Sequence, residues 1–436
     1  MIRILTDPLW MLVGVPVVGA ALGLLLWSKP GMLKVWALLV SMASLLLLMG
    51  MSGRLSGPVE GMALLYLLPV AAFLSLLGQP VHQVARVPWV MTLLLLGVGL
   101  GAIVSQDQPG VIFLPSVLGL VGLLVHRYRT STRSQLIWGI GTYSLGMGCL
   151  FVSLVAASPI SSVALLLTYA ILLPLFPFHG GYVAALAGLP GNLPVFLALL
   201  LPSIGFHGLL TLLPDTPGGV VQALVILALF GALYGSLKAL VQCKVIDLLA
   251  YASTAFFAIL WWYLALTRGY TPQAAVYLSA VALVTAGLLL AWRAVQVRYG
   301  DVDLSAISGL ARSMPRFAAG LALLVLAAMG LPPFGLFSGF IGMLLDPSLA
   351  LSGTLLVILI AWLTASWYFL DLMQRILFGR PRPDIRYEDL RHTEIASLLM
   401  ILMILLSIGV APSRFFEPGM PDPAYRTAME SDPWSK

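Results

Sequence analysis

The chain is 436 residues long, 60% hydrophobic and 9% charged, with a mean hydropathy of +1.01. A soluble domain carries about 25% charged residues, so this composition excludes a soluble globule. In a soluble protein the net charge of +6 and pI near 9.4 would point to nucleic acid. Here the basic residues lie between apolar runs, so they point to orientation in a bilayer and no nucleic-acid partner is expected.

A helix needs about 20 apolar residues to span the hydrocarbon. On that measure fourteen runs follow one another: 8–27, 34–51, 61–78, 88–105, 110–126, 135–157, 161–178, 193–213, 218–241, 247–267, 273–295, 317–344, 350–376 and 395–412. The first lacks a small-residue cleavage site and reads as a retained helix. The Gly-rich stretch Gly139–Gly148 lies inside an apolar run rather than between a strand and a helix, so it is no phosphate loop. Cys149 and Cys243 have no partner motif and read as small packing residues. Neither a metal site nor a cofactor is expected.

Two runs are interrupted. The seventh meets Pro174, Pro177 and the pair Gly180-Gly181 where a span should be finishing. The twelfth contains Gly330, Pro332, Pro333 and Gly335. Proline removes a backbone donor and clashes with the preceding turn, so both helices are bent or broken there. Within a membrane a break is tolerated only where protein or a wet cavity receives the freed carbonyls. Two such breaks well apart point to a transporter built from repeats.

Assigning the loops alternately to two faces, with the N-terminus on the first, puts six Lys and Arg on face one and seventeen on face two. Positive charge stays cytoplasmic, so both termini are expected outside the cytoplasm. The longest face-two loops, 296–316 and 377–394, carry mixed charge. They suit docking to a partner or to headgroups, or are plain solvated connectors. The tail after Pro412 is polar, Pro-rich and expected to be poorly ordered.

Several stretches together resemble a known family. They are PLFPFH (Pro174–His179), ALVQCKVIDLLAYAST (Ala239–Thr254), GLARSMPR (Gly309–Arg316), AAMGLPPFGLFSGF (Ala327–Phe340) and FGRPRPDIRYEDLRHTE (Phe378–Glu394). They are similar to motifs of the antiporter-like membrane subunits of respiratory complex I, of multisubunit sodium/proton antiporters, and of related hydrogenase and carbon-uptake complexes. The resemblance covers roughly residues 90–412. It implies an all-α polytopic fold of about fourteen transmembrane helices, with two inverted five-helix repeats and helices 7 and 12 broken. The domains it implies are an N-terminal three-helix segment (1–87), a first repeat (88–213), a second repeat (214–376), a cytoplasmic loop with the last helix (377–412) and a polar tail (413–436). It further implies a multi-pass chain of the cell's inner (plasma) membrane, with other membrane and peripheral subunits and the lipid bilayer as partners. Chemistry such as NADH oxidation would then lie on those partners, since this chain shows no catalytic centre.

The family moves protons along a polar axis of glutamate, lysine and histidine. Here Ser116 stands near the glutamate position, Leu172 at the helix 7 lysine, Ser203 near the helix 8 lysine, and His207 where a tyrosine is common. The eleventh run has no lysine or histidine within Ala274–Trp292. The scaffold is kept while most titratable groups are gone.

An ionisable side chain inside a membrane costs about 2.5–3.5 kcal/mol on insertion scales and is a functional candidate by default. His207, one turn beyond Ser203, is a proton relay or a neutral histidine bonded to a freed carbonyl. His179 gates a water entrance or caps the broken helix. Lys238 snorkels or joins the path, and Asp247 pairs with Lys244 or Lys238. Asp371, with Arg375 at i+4, forms an intrahelical ion pair or belongs to a half-channel. Trp261, Trp262, Trp362 and Trp367 take interfacial or packing roles.

Three functions fit. The first is a subunit of a proton- or cation-translocating complex of the NADH–quinone oxidoreductase or antiporter type, with conduction attenuated. The second is a non-conducting scaffold, for example in hydrogenase or inorganic-carbon uptake. The third is a stand-alone secondary transporter, which the absence of an intramembrane charged cluster opposes.

Overall fold

The computed structural model describes residues 8–51, 62–79, 86–105, 110–128, 133–300, 303–304, 307–346, 349, 353–379 and 388–416. Residues 380–387 of the motif loop and 417–436 of the tail lie outside these. The described residues form helices without strands: α1 Pro8–Leu25, α2 Pro30–Met51, α3 Met62–Leu77, α4 Arg86–Val104, α5 Gly110–Tyr128, α6 Arg133–Val155, α7 Ile160–Leu172, α8 Gly180–Gly188, α9 Leu193–Leu212, α10 Gly218–Leu240, α11 Val245–Thr267, α12 Pro272–Tyr299, α13 Leu310–Ser313, α14 Pro315–Ala328, α15 Gly335–Leu344, α16 Gly353–Leu377, α17 His392–Val410 and α18 Ser413–Phe416. Among the described residues, nine helices are long and apolar enough to cross a membrane. By position the helices follow the fourteen runs, the seventh run appearing as α7 with α8 and the twelfth as α14 with α15.

The boundary furthest from expectation is in the seventh run, whose sequence places its end at residue 178, yet helix resumes over Gly180–Gly188. Glycine pairs commonly end helices because glycine gives up the most backbone freedom on ordering. Here α8 packs between α6 and α11, and tertiary packing supports a helix that local propensity does not.

The centre of the molecule is α12. Its start is set by Thr271, whose hydroxyl accepts from the Ala274 amide at 3.3 Å, with Pro272 in the first turn. It ends at Gly300, whose φ of +82° most residues resist. The apolar window of this helix is completely buried, as expected of a helix that is hydrophobic all round. The neighbouring helix α11 is nearly as enclosed, whereas α2, α6, α10 and α16 leave broad apolar flanks exposed. Those flanks form an apolar perimeter.

Loops assigned to one face meet at one end. At the face-two end the Lys34 ammonium donates to the Gln79 carbonyl at 2.9 Å and the Arg293 guanidinium to the Leu189 carbonyl at 2.8 Å. At the opposite end the Trp262 indole donates to Thr354 at 3.2 Å and the Tyr270 hydroxyl to the Phe416 carbonyl at 2.9 Å.

The two long face-two loops are tied to the helices at a few described points, while much of their described length stays exposed or partly exposed. Arg298 and Glu394 form an ion pair at 2.6 Å, with side chains only 5% and 3% exposed. The Asp389 carboxylate accepts the Arg316 and Phe317 amides at 2.9 and 3.1 Å. It thereby satisfies the first-turn donors of α14.

Candidate functional site

The first break follows from proline chemistry. Pro174 cannot donate to the Ala170 carbonyl, and the Leu175 amide replaces it at 3.0 Å. Pro177 likewise leaves the Leu173 carbonyl without a helical donor, and the buried Trp261 indole supplies one at 2.9 Å. On the far side of the break the Tyr143 hydroxyl donates to the Gly181 carbonyl at 3.1 Å. The helix α9 crosses closely here: a Cβ at Gly205 would lie 2.5 Å from the Leu173 nitrogen.

Below this break opens a pocket of about 350 Å³. Its walls come from four places: Ser134, Gln135 and Trp138 of α6, the break itself with His179, Tyr234 and Lys238 of α10, and Tyr251 of α11. His179 precedes α8, but its side chain does not cap that helix. The ring instead lies 5.8 Å from Phe176, 5.3 Å from Tyr234 and 6.1 Å from Tyr251, centre to centre. Its Nδ1 is buried without a hydrogen-bond partner in the protein. The Lys238 ammonium stands 5.9 Å from the centre of the Tyr251 ring. The Gln135 amide donates to Asp247 at 3.2 Å, beside the pocket. His179 and Lys238 thus share one pocket, with Asp247 next to it.

The remaining candidates lie elsewhere. Ser203 is buried on α9 and its hydroxyl has no protein partner; His207, one turn on, is half-buried. Ser116 donates to the Ile112 carbonyl of its own helix at 2.6 Å, and Leu172 is fully buried. Asp371 bonds Arg375 at 2.8 Å on an exposed flank of α16, the two side chains being 39% and 57% exposed.

Sequence reasoning missed a set of buried tyrosines because a phenol is uncharged near neutral pH and does not stand out among apolar residues. Tyr182 stands between Tyr143 and Ser253 in the first half. Tyr277 and Tyr368 lie on α12 and α16, both fully enclosed and with hydroxyls lacking a protein partner. Tyr277 lies in the eleventh run, which contains no lysine or histidine within Ala274–Trp292, so a hydroxyl is the polar signal there.

The second break is closed differently. The Leu331 amide reaches back to the Leu326 carbonyl at 3.2 Å, as Leu175 does in the first break. Gly330, at φ +69°, would place a Cβ 2.1 Å from the Trp362 ring. Trp362 in turn stacks on Phe340 with ring centres 3.7 Å apart and planes 5° from parallel. A Cβ at Gly409 of α17 would lie 2.0 Å from the Pro333 carbonyl oxygen, so α17 runs directly over the break.

Known proteins share this architecture. One chain of respiratory complex I from Thermus thermophilus superposes with a TM-score of 0.77 at 23% identity, covering 94% of this chain and 96% of that one. A chain of the Mrp complex from Dietzia sp. gives 0.77 at 16% identity, covering 94% and 97%. A chain of an archaeal membrane-bound sulfane sulfur reductase gives 0.83 at 15% identity, covering 93% and 76%. At these identities the likeness shows the fold. In sequence, NADH-quinone oxidoreductase subunit M of Rickettsia conorii is 25% identical over 264 residues, 57% of this chain and 52% of that protein. F(420)H(2) dehydrogenase subunit M of Methanosarcina mazei is 28% identical over 264 residues, with the same coverage. The chain's match thus spans about half the length of these curated relatives. The family model described as NADH:quinone oxidoreductase/Mrp antiporter, transmembrane region, matches residues 140–367, just over half of the chain. On that match, the chain belongs to the NADH:quinone oxidoreductase/Mrp antiporter transmembrane family.

Proposed function

We propose that the chain is a membrane subunit of a multisubunit proton-translocating complex of the NADH–quinone oxidoreductase or antiporter type, with attenuated conduction. It lies in the cell's inner (plasma) membrane as about fourteen spans, both termini outside the cytoplasm, with inverted repeats over 88–213 and 214–376. Other subunits carry the redox or antiport partners, as in the complexes to which the relatives and structural neighbours belong.

One observation carries the reading: the first break opens onto a polar pocket in which the His179 Nδ1 is buried without a protein partner. Buried polar groups are nearly always hydrogen-bonded to protein or to water, and the pocket is roomy and polar enough to be wet. Protons enter past Lys238 and Asp247, hop through water at His179, and continue by Ser203 and His207. An imidazole can both accept and release a proton through its two ring nitrogens. In the second half the Trp362–Phe340 stack fills the break, and Tyr277 and Tyr368 offer hydroxyls without charge. Flux is therefore held well below that of a fully charged axis.

The stack also favours a second reading, a non-conducting scaffold that anchors a partner subunit. Proton flux in proteoliposomes containing the whole assembly separates the two. Flux falls severalfold in His207→Ala with Lys238→Ala if the route is as described; unchanged flux removes the relay and leaves the scaffold.

A further inference from the structure

Among the described residues no carboxylate pairs with Lys238, which sits in the last turn of α10 and points its ammonium toward the Tyr251 ring. The pocket around it adds the Ser134 hydroxyl, the Tyr234 and Tyr251 hydroxyls and Gly180 at the start of α8. Asp247 accepts from the lining residue Gln135 and is not itself part of the lining. The lining therefore holds one lysine and several neutral polar groups, and no carboxylate side chain.

The pocket reaches exposed surface: Trp138 in its lining is 68% exposed, and Val241, three residues beyond the lining residue Lys238, is 68% exposed as well. From there Val241, Leu237, Tyr234, Phe230 and Ile226 form an exposed stripe at i, i−4, i−7, i−11 and i−15. By helix rise the stripe is about 22 Å long. A polar pocket at the depth where lysine and aromatic side chains meet headgroups thus continues into an apolar track.

We propose that this pocket binds the phosphodiester headgroup of a membrane phospholipid. The phosphate lies against Lys238 and the start of α8, and an acyl chain lies along Ile226–Val241. The choice of an amphiphile over a protein carboxylate rests on the continuity of polar pocket and apolar stripe, since one phospholipid satisfies both. The inference requires the chain to be membrane-embedded and does not require it to conduct, so the test reads binding rather than flux.

The full chain is reconstituted in phosphatidylcholine nanodiscs doped with a photoactivatable phosphatidylglycerol, and crosslinked peptides are mapped by mass spectrometry. Wild type labels the 226–241 segment. Lys238→Gln lowers that yield about fivefold, the effect of one cation at the membrane surface, while Lys238→Arg retains it. Arg375→Gln, at an exposed position on α16, leaves it unchanged. Monodisperse elution of each variant shows that it has folded. Equal labelling of wild type and Lys238→Gln overturns the proposal. So does displacement of the lipid by inorganic phosphate, which assigns the pocket to a free anion. Protection of the segment by a neighbouring subunit in the intact assembly likewise overturns it and assigns the pocket to a protein contact.

Discussion

At the first break two prolines withdraw donors from Ala170 and Leu173, and the structure replaces them with the Leu175 amide and the Trp261 indole. At the second, Leu331 makes the same backward reach to Leu326, but the space beside it is filled by the Trp362–Phe340 stack. Both breaks meet a glycine on a crossing helix, Gly205 at the first and Gly409 at the second, but the second also carries a glycine of its own, Gly330, set against a tryptophan. One backbone defect thus has two environments: a polar pocket against His179, and a packed aromatic contact beside two hydroxyls without protein partners. A broken helix alone does not make a wet path; the side chains that cross it decide.

The largest test of that contrast is Gly330→Ala. The new Cβ would fall 2.1 Å from Trp362 at a φ of +69°, combining overpacking with left-handed strain. We expect a loss of roughly 2–4 kcal/mol, read as a lower denaturation midpoint in detergent. Trp362→Phe in the same chain restores part of it. Unchanged melting would mean that the second break is not locked. Trp261→Phe comes next: the Leu173 carbonyl loses its donor, at about 1–3 kcal/mol. Trp362→Phe alone costs less, because no freed carbonyl depends on its indole among the described residues. Equal losses would erase the distinction between the breaks.

Smaller effects separate wet from dry hydroxyls. Tyr143→Phe strips the donor from the Gly181 carbonyl and costs about 1 kcal/mol. Tyr277→Phe and Tyr368→Phe remove hydroxyls that bond nothing in the protein. In a dry second half these two are neutral or stabilising by up to about 1 kcal/mol, with proton flux unchanged. Destabilisation with a drop in flux would show water there, and the second half would then conduct.

The breaks were legible because proline acts through the backbone, and Pro174, Pro177, Pro332 and Pro333 read the same in any context. The resumption of helix at Gly180–Gly188 was not, since it depends on the helices packed around it, α6, α11, α9 and α5, all outside the glycine pair's own local sequence. His179 was visible as a lone histidine after a break. Its aromatic surround was not, because Tyr234 and Tyr251 arrive from two later helices. Tyr277 and Tyr368 were hidden for a different reason. A tyrosine serves equally as core or as polar group, and its type says nothing about whether its hydroxyl finds a partner. The spacing of Asp371 and Arg375, by contrast, needed only helix geometry to give the pair that is observed.

That pair supplies the smallest effect and the last test of the contrast. Asp371 and Arg375 are one turn apart on α16, 39% and 57% exposed, and bonded at 2.8 Å. An exposed i,i+4 pair contributes roughly 0.3–0.5 kcal/mol, and salt screens most of it. Asp371→Asn should therefore shift the denaturation midpoint barely at low ionic strength and not at all at high. Flux should stay at the wild-type level, because the carboxylate sits on the perimeter rather than among the buried hydroxyls. If Asp371→Asn lowers flux as far as His207→Ala with Lys238→Ala, protons travel along the flank of α16. The packed second break would then be bypassed rather than closed, and its aromatic stack could no longer account for weak conduction.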